Sequence, residues 1–358
     1  MKYKITIGVF LGIIFGFLFI SILSKDLTIS LSERRTLTTF PKITWEDILN
    51  KKVMNGIDNY ALDHFAYRDK FRNLKALMEL NVFHKLDNNN IYIKDNYIFK
   101  SSYPTNYESI NNFIRKINSI KTNYLKENKV YYSIIPDKNY YLKNDNHLNI
   151  DYEDLIKKVN QGLEDMEYID ITATLSLEDF YKTDTHWKQQ NIRKVVDKLS
   201  QQMFFPTGHL TYDEKTFNPF YGVYYGQAAF NLKADELVYL TNEVISNAVV
   251  DNYTGNNKVY DESKLGSMDS YGIFLSGATP LITITNPSNK DAKELIIFRD
   301  SFGSSIAPLL IESYSKITLI DLRYITPQLM ASEIEFTNQD VLFLYSTLLI
   351  NDSKSIKE

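Results

Sequence analysis

ELIIFRDSFGSS, residues 294–305, runs an apolar strand into a turn and then into a helix. ELIIF at 294–298 is rich in β-branched and aromatic side chains, Asp300-Ser301-Phe302-Gly303 is turn chemistry, and Ser304–Ile311 reads as a helix. In an open α/β sheet, ligands bind outside the carboxyl ends of the strands. A serine on such a turn stands at the sheet edge, and its own N–H, at the start of a helix, can donate to an oxyanion. The same residues also suit a structural role, with Ser301 as N-cap and Asp300 as a first-turn carboxylate.

Outward from this stretch, strands and helices alternate. KITLIDL (316–322) and VLFLYSTLL (341–349) are strands with a short helix, Pro327–Ile334, between them. Upstream, Ile110, Phe113, Ile114, Ile117, Ile120 and Tyr124 recur at helical spacing through 107–128, and VYYSIIP (130–136) is a strand that ends at Pro136. A helix over 151–165, a short strand near 168–171 and a helix carrying Ile192, Val195, Val196, Leu199 and Met203 follow. This order predicts an α/β fold with a mostly parallel sheet covered on both faces. IYIKDNYIFK (91–100) reads as a hairpin turning at Asp95-Asn96. Residues 204–290 are rich in turns and short strands and read as an insertion or irregular β region. Residues 45–83 are helical, with breaks expected at Gly56 and at His64–Tyr67, and Leu74, Leu77, Met78 and Val82 share one face.

At the N-terminus, Lys2 and Lys4 precede the uncharged run Ile5–Leu23. As a helix this run is about 28 Å long, close to the thickness of a hydrocarbon core. No Ala-x-Ala site follows it, which favours an uncleaved signal anchor over a cleaved signal peptide. The leading lysines put the N-terminus in the cytoplasm, with Lys25, Arg34 and Arg35 pulling against that orientation. The expected division is therefore a cytoplasmic stub and transmembrane anchor over 1–25, a juxtamembrane linker and helical region over 26–90, and an extracytoplasmic α/β domain over 91–358.

Composition narrows the function. The 358 residues are 44% hydrophobic and 23% charged, which excludes disorder as the main state, and a net charge of −4 argues against a nucleic-acid binder. Zero cysteines exclude a disulfide framework, a zinc ribbon, a thiolate-held iron–sulfur cluster and a cysteine nucleophile.

A serine nucleophile needs a base, and the base needs an orienting carboxylate. YKTDTHWKQQN (181–191) offers both: Asp184 and His186 lie two residues apart, so an extended or turning segment points them to one side. Of the five histidines, only His186 has an Asp two before it and a Trp directly after it. Two other readings compete. Asp184 or Thr185 caps the helix that follows, or Asp184, His186 and His209 form a two-His-one-carboxylate metal site.

DTHW followed downstream by RDSFG resembles the alginate O-acetyltransferase family of extracytoplasmic, SGNH-hydrolase-like proteins, and most closely its DHHW branch. SERRTLTTFPKI (32–43), DHFAYRDKF (63–71), KDNYIF (94–99), IIPDKNYY (134–141), DSYGIFLSG (269–277) and DLRY (321–324) are similar to that branch in the same order. Thr185 stands where the namesake motif has its first His, and Arg299 where hydrolases of the wider superfamily have Gly. The resemblance implies an SGNH-hydrolase-like three-layer α/β/α sandwich, Ser301 as nucleophile, His186 as base and Asp184 as orienting carboxylate. It also implies acetyl transfer to, or removal from, exported polysaccharide beside a membrane-bound O-acyltransferase. No cofactor and no metal are expected. The alternative from a different class is a non-catalytic polysaccharide-binding or scaffold subunit of an export complex.

Overall fold

The computed structural model describes residues 2–31, 33–142, 146–207, 211–230 and 232–358. The chain forms two compact units, Met1–Asn89 with Tyr225–Leu232, and Asn90–Tyr224 with Lys233–Glu358.

The smaller unit begins with α1 (Lys2–Leu23), 22 residues with no buried side chain. Among the described residues it is the one helix long and apolar enough to cross a membrane. After a single turn at Trp45–Leu49 come α2 (Lys52–Asp63) and α3 (Arg68–Leu77), the latter running on into a π-helical turn at Met78–Val82. The break at His64–Tyr67 is present, with Tyr67 left-handed at φ 59°. Gly56, expected at a break, lies inside α2. It is needed there for packing, since a Cβ at Gly56 would come within 2.8 Å of Pro41 Cβ. Asp63 accepts from Arg35 Nη1 at 3.0 Å and from the N–H of Thr38 at 2.8 Å, which holds its carboxyl below the usual carboxylate range. Glu33 takes the guanidinium of Arg68 in a two-pronged pair at 2.8 and 3.0 Å. Asp63 and Arg68 thus tie the small unit to itself.

The larger unit is built on a seven-stranded sheet. Its strands are β1 (Val130–Ile135), β2 (Glu167–Tyr168), β3 (Val249–Asp251), β4 (Leu281–Thr285), β5 (Glu294–Arg299), β6 (Lys316–Ile320) and β7 (Asp340–Ser346). The spatial order is β2-β1-β7-β5-β6-β4-β3. All pairs from β2 to β6 are parallel, while β4 runs antiparallel to both its neighbours. The helices are α4 (Tyr107–Tyr124), α5 (Tyr152–Gly162), α6 (Arg193–Met203), α7 (Gly303–Leu310) and α8 (Pro327–Glu333).

Period-two alternation sends successive strand residues to opposite faces. Leu295, Ile297, Leu319 and Leu342 pack with Val195 and Leu199 of α6 and Ile306 of α7. Ile296, Phe298, Ile320 and Phe343 pack with Phe113 and Ile117 of α4 and Leu155 of α5. Both faces are covered, giving a three-layer α/β/α sandwich whose central strands are near-continuous apolar runs. The 204–290 stretch supplies the edge strand β3 and its neighbour β4, and a hairpin of Asp213–Phe220 with Asp235–Thr241. The hairpin at 91–100 turns at Asp95 and Asn96, both left-handed at φ 50° and 63°.

The end of β5 is locked to β7. Asp300, buried, accepts from the Phe302 N–H at 3.0 Å through one carboxylate oxygen and from the Ser346 N–H at 2.9 Å through the other. Replacing Asp300 with Ala orphans two amide donors, each costing about 1–3 kcal/mol. Asp300→Ala is expected to lower the unfolding free energy by about 2–6 kcal/mol in urea titration.

Candidate active site

Ser301 occupies the turn between β5 and α7. It is not the helix cap: Phe302 holds that position, at φ −62°, with no side-chain capping bond. The Ser301 hydroxyl instead lies 2.7 Å from His186 Nε2. His186 Nδ1 lies 2.5 Å from Asp184 Oδ1, which also accepts the His186 backbone N–H at 3.0 Å. The three candidates from the sequence therefore form one hydrogen-bonded line. With Asp184 accepting, the Nδ1 proton is fixed and Nε2 is left to accept from the serine. Among the described residues the Ser301 N–H has no acceptor, so it is available to a ligand oxygen.

The Asp184–His186 segment is pinned from several sides. Phe180 and Trp187 form an antiparallel bridge that closes it into a tight loop. Asp235 accepts the N–H groups of Lys182 and Thr183 at 3.0 and 2.7 Å. Lys138, 2% exposed, sends its Nζ to the carbonyls of Tyr181, Lys182 and Asp184 at 3.0, 3.1 and 2.9 Å. The Tyr224 N–H covers the remaining carbonyl, that of Thr183, at 3.0 Å. Burial pulls the Lys138 ammonium down to about 7, against the raising effect of Asp184, Asp235 and Asp137. Its three carbonyl acceptors match the three N–H bonds of the protonated form.

The imidazole is held by a ring. Tyr271 stacks on His186 with centroids 3.8 Å apart and an 8° interplanar angle. Ser305, fully buried, accepts from the Tyr271 hydroxyl and from Trp187 Nε1, both at 2.8 Å, and donates to the Phe302 carbonyl at 3.2 Å. Tyr271, Trp187 and the serine turn are thereby joined through one hydroxyl.

Beside the turn, Arg299 is fully buried with its Nη1 3.6 Å from Asp321 Oδ2. Asp321 is itself clasped by Arg323 Nε and Nη2 at 2.8 and 2.6 Å. Burial pushes the Arg299 guanidinium down from its ordinary value. Gly277 and Asn286 have local structural partners: the Gly277 N–H bonds to Phe274, and Asn286 Nδ2 to the Ile311 carbonyl at 2.9 Å. His209 lies outside the described residues. Among the described residues no group of three or more His, Asp or Glu is arranged to hold a metal ion.

No protein-family model and no curated protein sequence matches the chain. Solved structures do. A DHHW family protein from Eubacterium siraeum superimposes with a TM-score of 0.64 at 21% identity, over 75% of this chain and 95% of that one. Bacillus cereus PatB1 with a sulfonyl adduct gives a TM-score of 0.58 at 18% identity, over 75% of this chain and 98% of that one. The chain shares the fold of these two proteins.

Within this fold, sequence reading located the residues at the strand end and in the DTHW block, and did not assign their supports. Gly222 is the sharpest case. A Cβ there would fall 2.3 Å from Asp184 Cβ and 2.4 Å from its Cα, so only glycine lets the chain pass. That passage brings the Val223 N–H to Asp184 Oδ2 at 2.7 Å. Gly222→Ala is expected to pull Val223 off the carboxylate. Amide hydrogen exchange should then accelerate at Val223 while the amides of β5 stay protected. Unchanged exchange at Val223 would contradict the close-approach argument.

Proposed function

We propose that the chain is a membrane-anchored, extracytoplasmic serine acyltransferase or esterase that acts on exported or cell-surface polysaccharide. The observation that carries this reading is the line from Ser301 Oγ through the His186 ring to Asp184, with distances of 2.7 and 2.5 Å. The apolar helix α1 supports the anchor, and its leading lysines support a main domain outside the cytoplasm. The likeness in fold to PatB1, whose structure carries a sulfonyl adduct, supports looking for a serine that such reagents label.

The proposed chemistry uses this geometry. His186 Nε2 takes the Ser301 proton as Oγ attacks the carbonyl carbon of an acetyl ester. Negative charge develops on the carbonyl oxygen, where the Ser301 N–H can donate. Asp184 balances the imidazolium through Nδ1. The leaving alcohol takes the proton from His186, and acetyl-Ser301 remains. A sugar hydroxyl or water then attacks that ester, its proton passing to His186, and Ser301 is regenerated. A sugar acceptor makes the enzyme a transferase and water makes it an esterase. A membrane-bound O-acyltransferase is the proposed source of acyl groups.

The full chain in detergent, incubated with 4-nitrophenyl acetate, is expected to release nitrophenol and to carry an acetyl adduct on the Ser301 peptide. Ser301→Ala abolishes both, and Asp184→Asn lowers the rate by about 10³–10⁴-fold, the size expected from loss of the correct tautomer. A folded protein that neither turns over nor is labelled at Ser301 by phenylmethylsulfonyl fluoride would overturn the reading, in favour of a non-catalytic polysaccharide-binding subunit.

A further inference from the structure

Helix α3 is inside out. An ordinary surface helix turns its apolar stripe inward and its charges to water. Here Phe71, Leu74, Met78 and Val82 recur at spacings of three and four along α3 and its π-helical extension, and all are exposed, at 43%, 52%, 40% and 59%. The opposite face carries the inward contacts. Ala76 is fully buried there. Arg72 donates to the Gly226 carbonyl at 2.8 Å and pairs with Glu33 at 2.9 Å, and Asn73 donates to the Ala229 carbonyl at 2.9 Å. At 3.6 residues per turn, Lys70 and Lys75 fall on either side of the outward apolar stripe.

The beginning of that stripe touches the anchor. The Phe17 ring stacks on Phe65 with centroids 5.6 Å apart and meets Phe71 edge-on at 5.5 Å. The Ala66 N–H donates to the Ser21 hydroxyl at 3.0 Å. Phe17 stands six residues before Leu23, the end of α1, which is roughly 9 Å along the helix axis. A membrane that receives α1 therefore surrounds Phe17 with acyl chains, and the side chains in contact with Phe17 share that depth.

We propose that residues 68–82 lie in the outer-leaflet interface of the bilayer, with Phe71, Leu74, Met78 and Val82 among the upper acyl chains and Lys70 and Lys75 reaching the lipid phosphates. This rests on α1 being a membrane anchor. The depth set by the Phe17 contact matches the roughly 5–10 Å at which interfacial amphipathic helices bury their apolar faces. The two lysines can lay their aliphatic stems along the stripe and keep their charges at the headgroups. The result is a second attachment that fixes how the small unit stands on the membrane, which one spanning helix alone leaves free to swivel.

The test is tryptophan depth measurement on the full chain in vesicles of phosphatidylcholine and phosphatidylglycerol with bromines on the acyl chains. Trp45 is first replaced by Phe, while buried Trp187 remains as a constant background. Leu74→Trp and Val82→Trp are expected to be blue-shifted and quenched by bromines placed near the headgroup, whereas Asn123→Trp is not. Phe10→Trp, in the middle of α1, should be quenched by deep bromines. If Phe10→Trp is quenched but neither Leu74→Trp nor Val82→Trp is, α1 remains an anchor and the interfacial helix is refuted, leaving a second copy or another protein to cover the stripe. If Phe10→Trp is not quenched, the anchor fails and the inference falls with it.

Discussion

The Asp184 carboxylate is the constraint around which the larger unit is arranged. It is fully buried, and a buried carboxylate is stable only when its oxygens are bound. One oxygen takes the His186 ring and backbone N–H, and the other takes the Val223 N–H. These bonds require the chain at 222 to press against Asp184, which excludes any side chain there. They also require the 181–184 loop to turn tightly. The loop can do so because Asp235 receives its amides and Lys138 most of its carbonyls. The serine turn meets this assembly through His186 and through Ser305, so two regions more than a hundred residues apart share one rigid frame.

The sheet explains why that frame sits where it does. Five parallel strands bring their carboxyl ends to one edge, where β5 ends and the chain turns into α7. Asp300 binds this turn to the end of β7, and Arg299 and Asp321 pair from the ends of adjacent strands. Stabilisation and site geometry are therefore supplied by the same residues. Substitutions at Asp300 or Lys138 change both together.

What the sequence revealed follows from the range of each signal. Ser301 was legible because strand, turn and helix lie within one short segment, and Asp184 with His186 because they sit two residues apart. The central strands stood out as continuous apolar runs. Gly222 and Asp235 left no local signal, since their partners Thr183 and Lys182 lie 39 and 53 residues away, and Lys138 was visible only in a family-like block because its partner Asp184 lies 46 residues on. Tyr271 was visible only as part of a family-like block, and its stacking on His186 is a tertiary fact. The edge strand β3 and its neighbour β4 were foreseen only as unplaced short strands in a turn-rich stretch, because three to five residues give too little alternation to bound. Gly56 misled for the opposite reason: its weak helix propensity suggested a break, whereas the contact with Pro41 explains its presence. The apolar face of α3 was read correctly as a stripe, but sequence could not tell which way it points.

The measurement that bears most directly on this account is the protonation of the His186 ring, read by NMR on protein labelled with nitrogen-15 histidine at neutral pH. The account predicts a proton on Nδ1 with a far-downfield resonance, lost in Asp184→Ala, and an Nε2 that responds when Ser301 is replaced by Ala. A neutral ring with its proton on Nε2, indifferent to both substitutions, would contradict it.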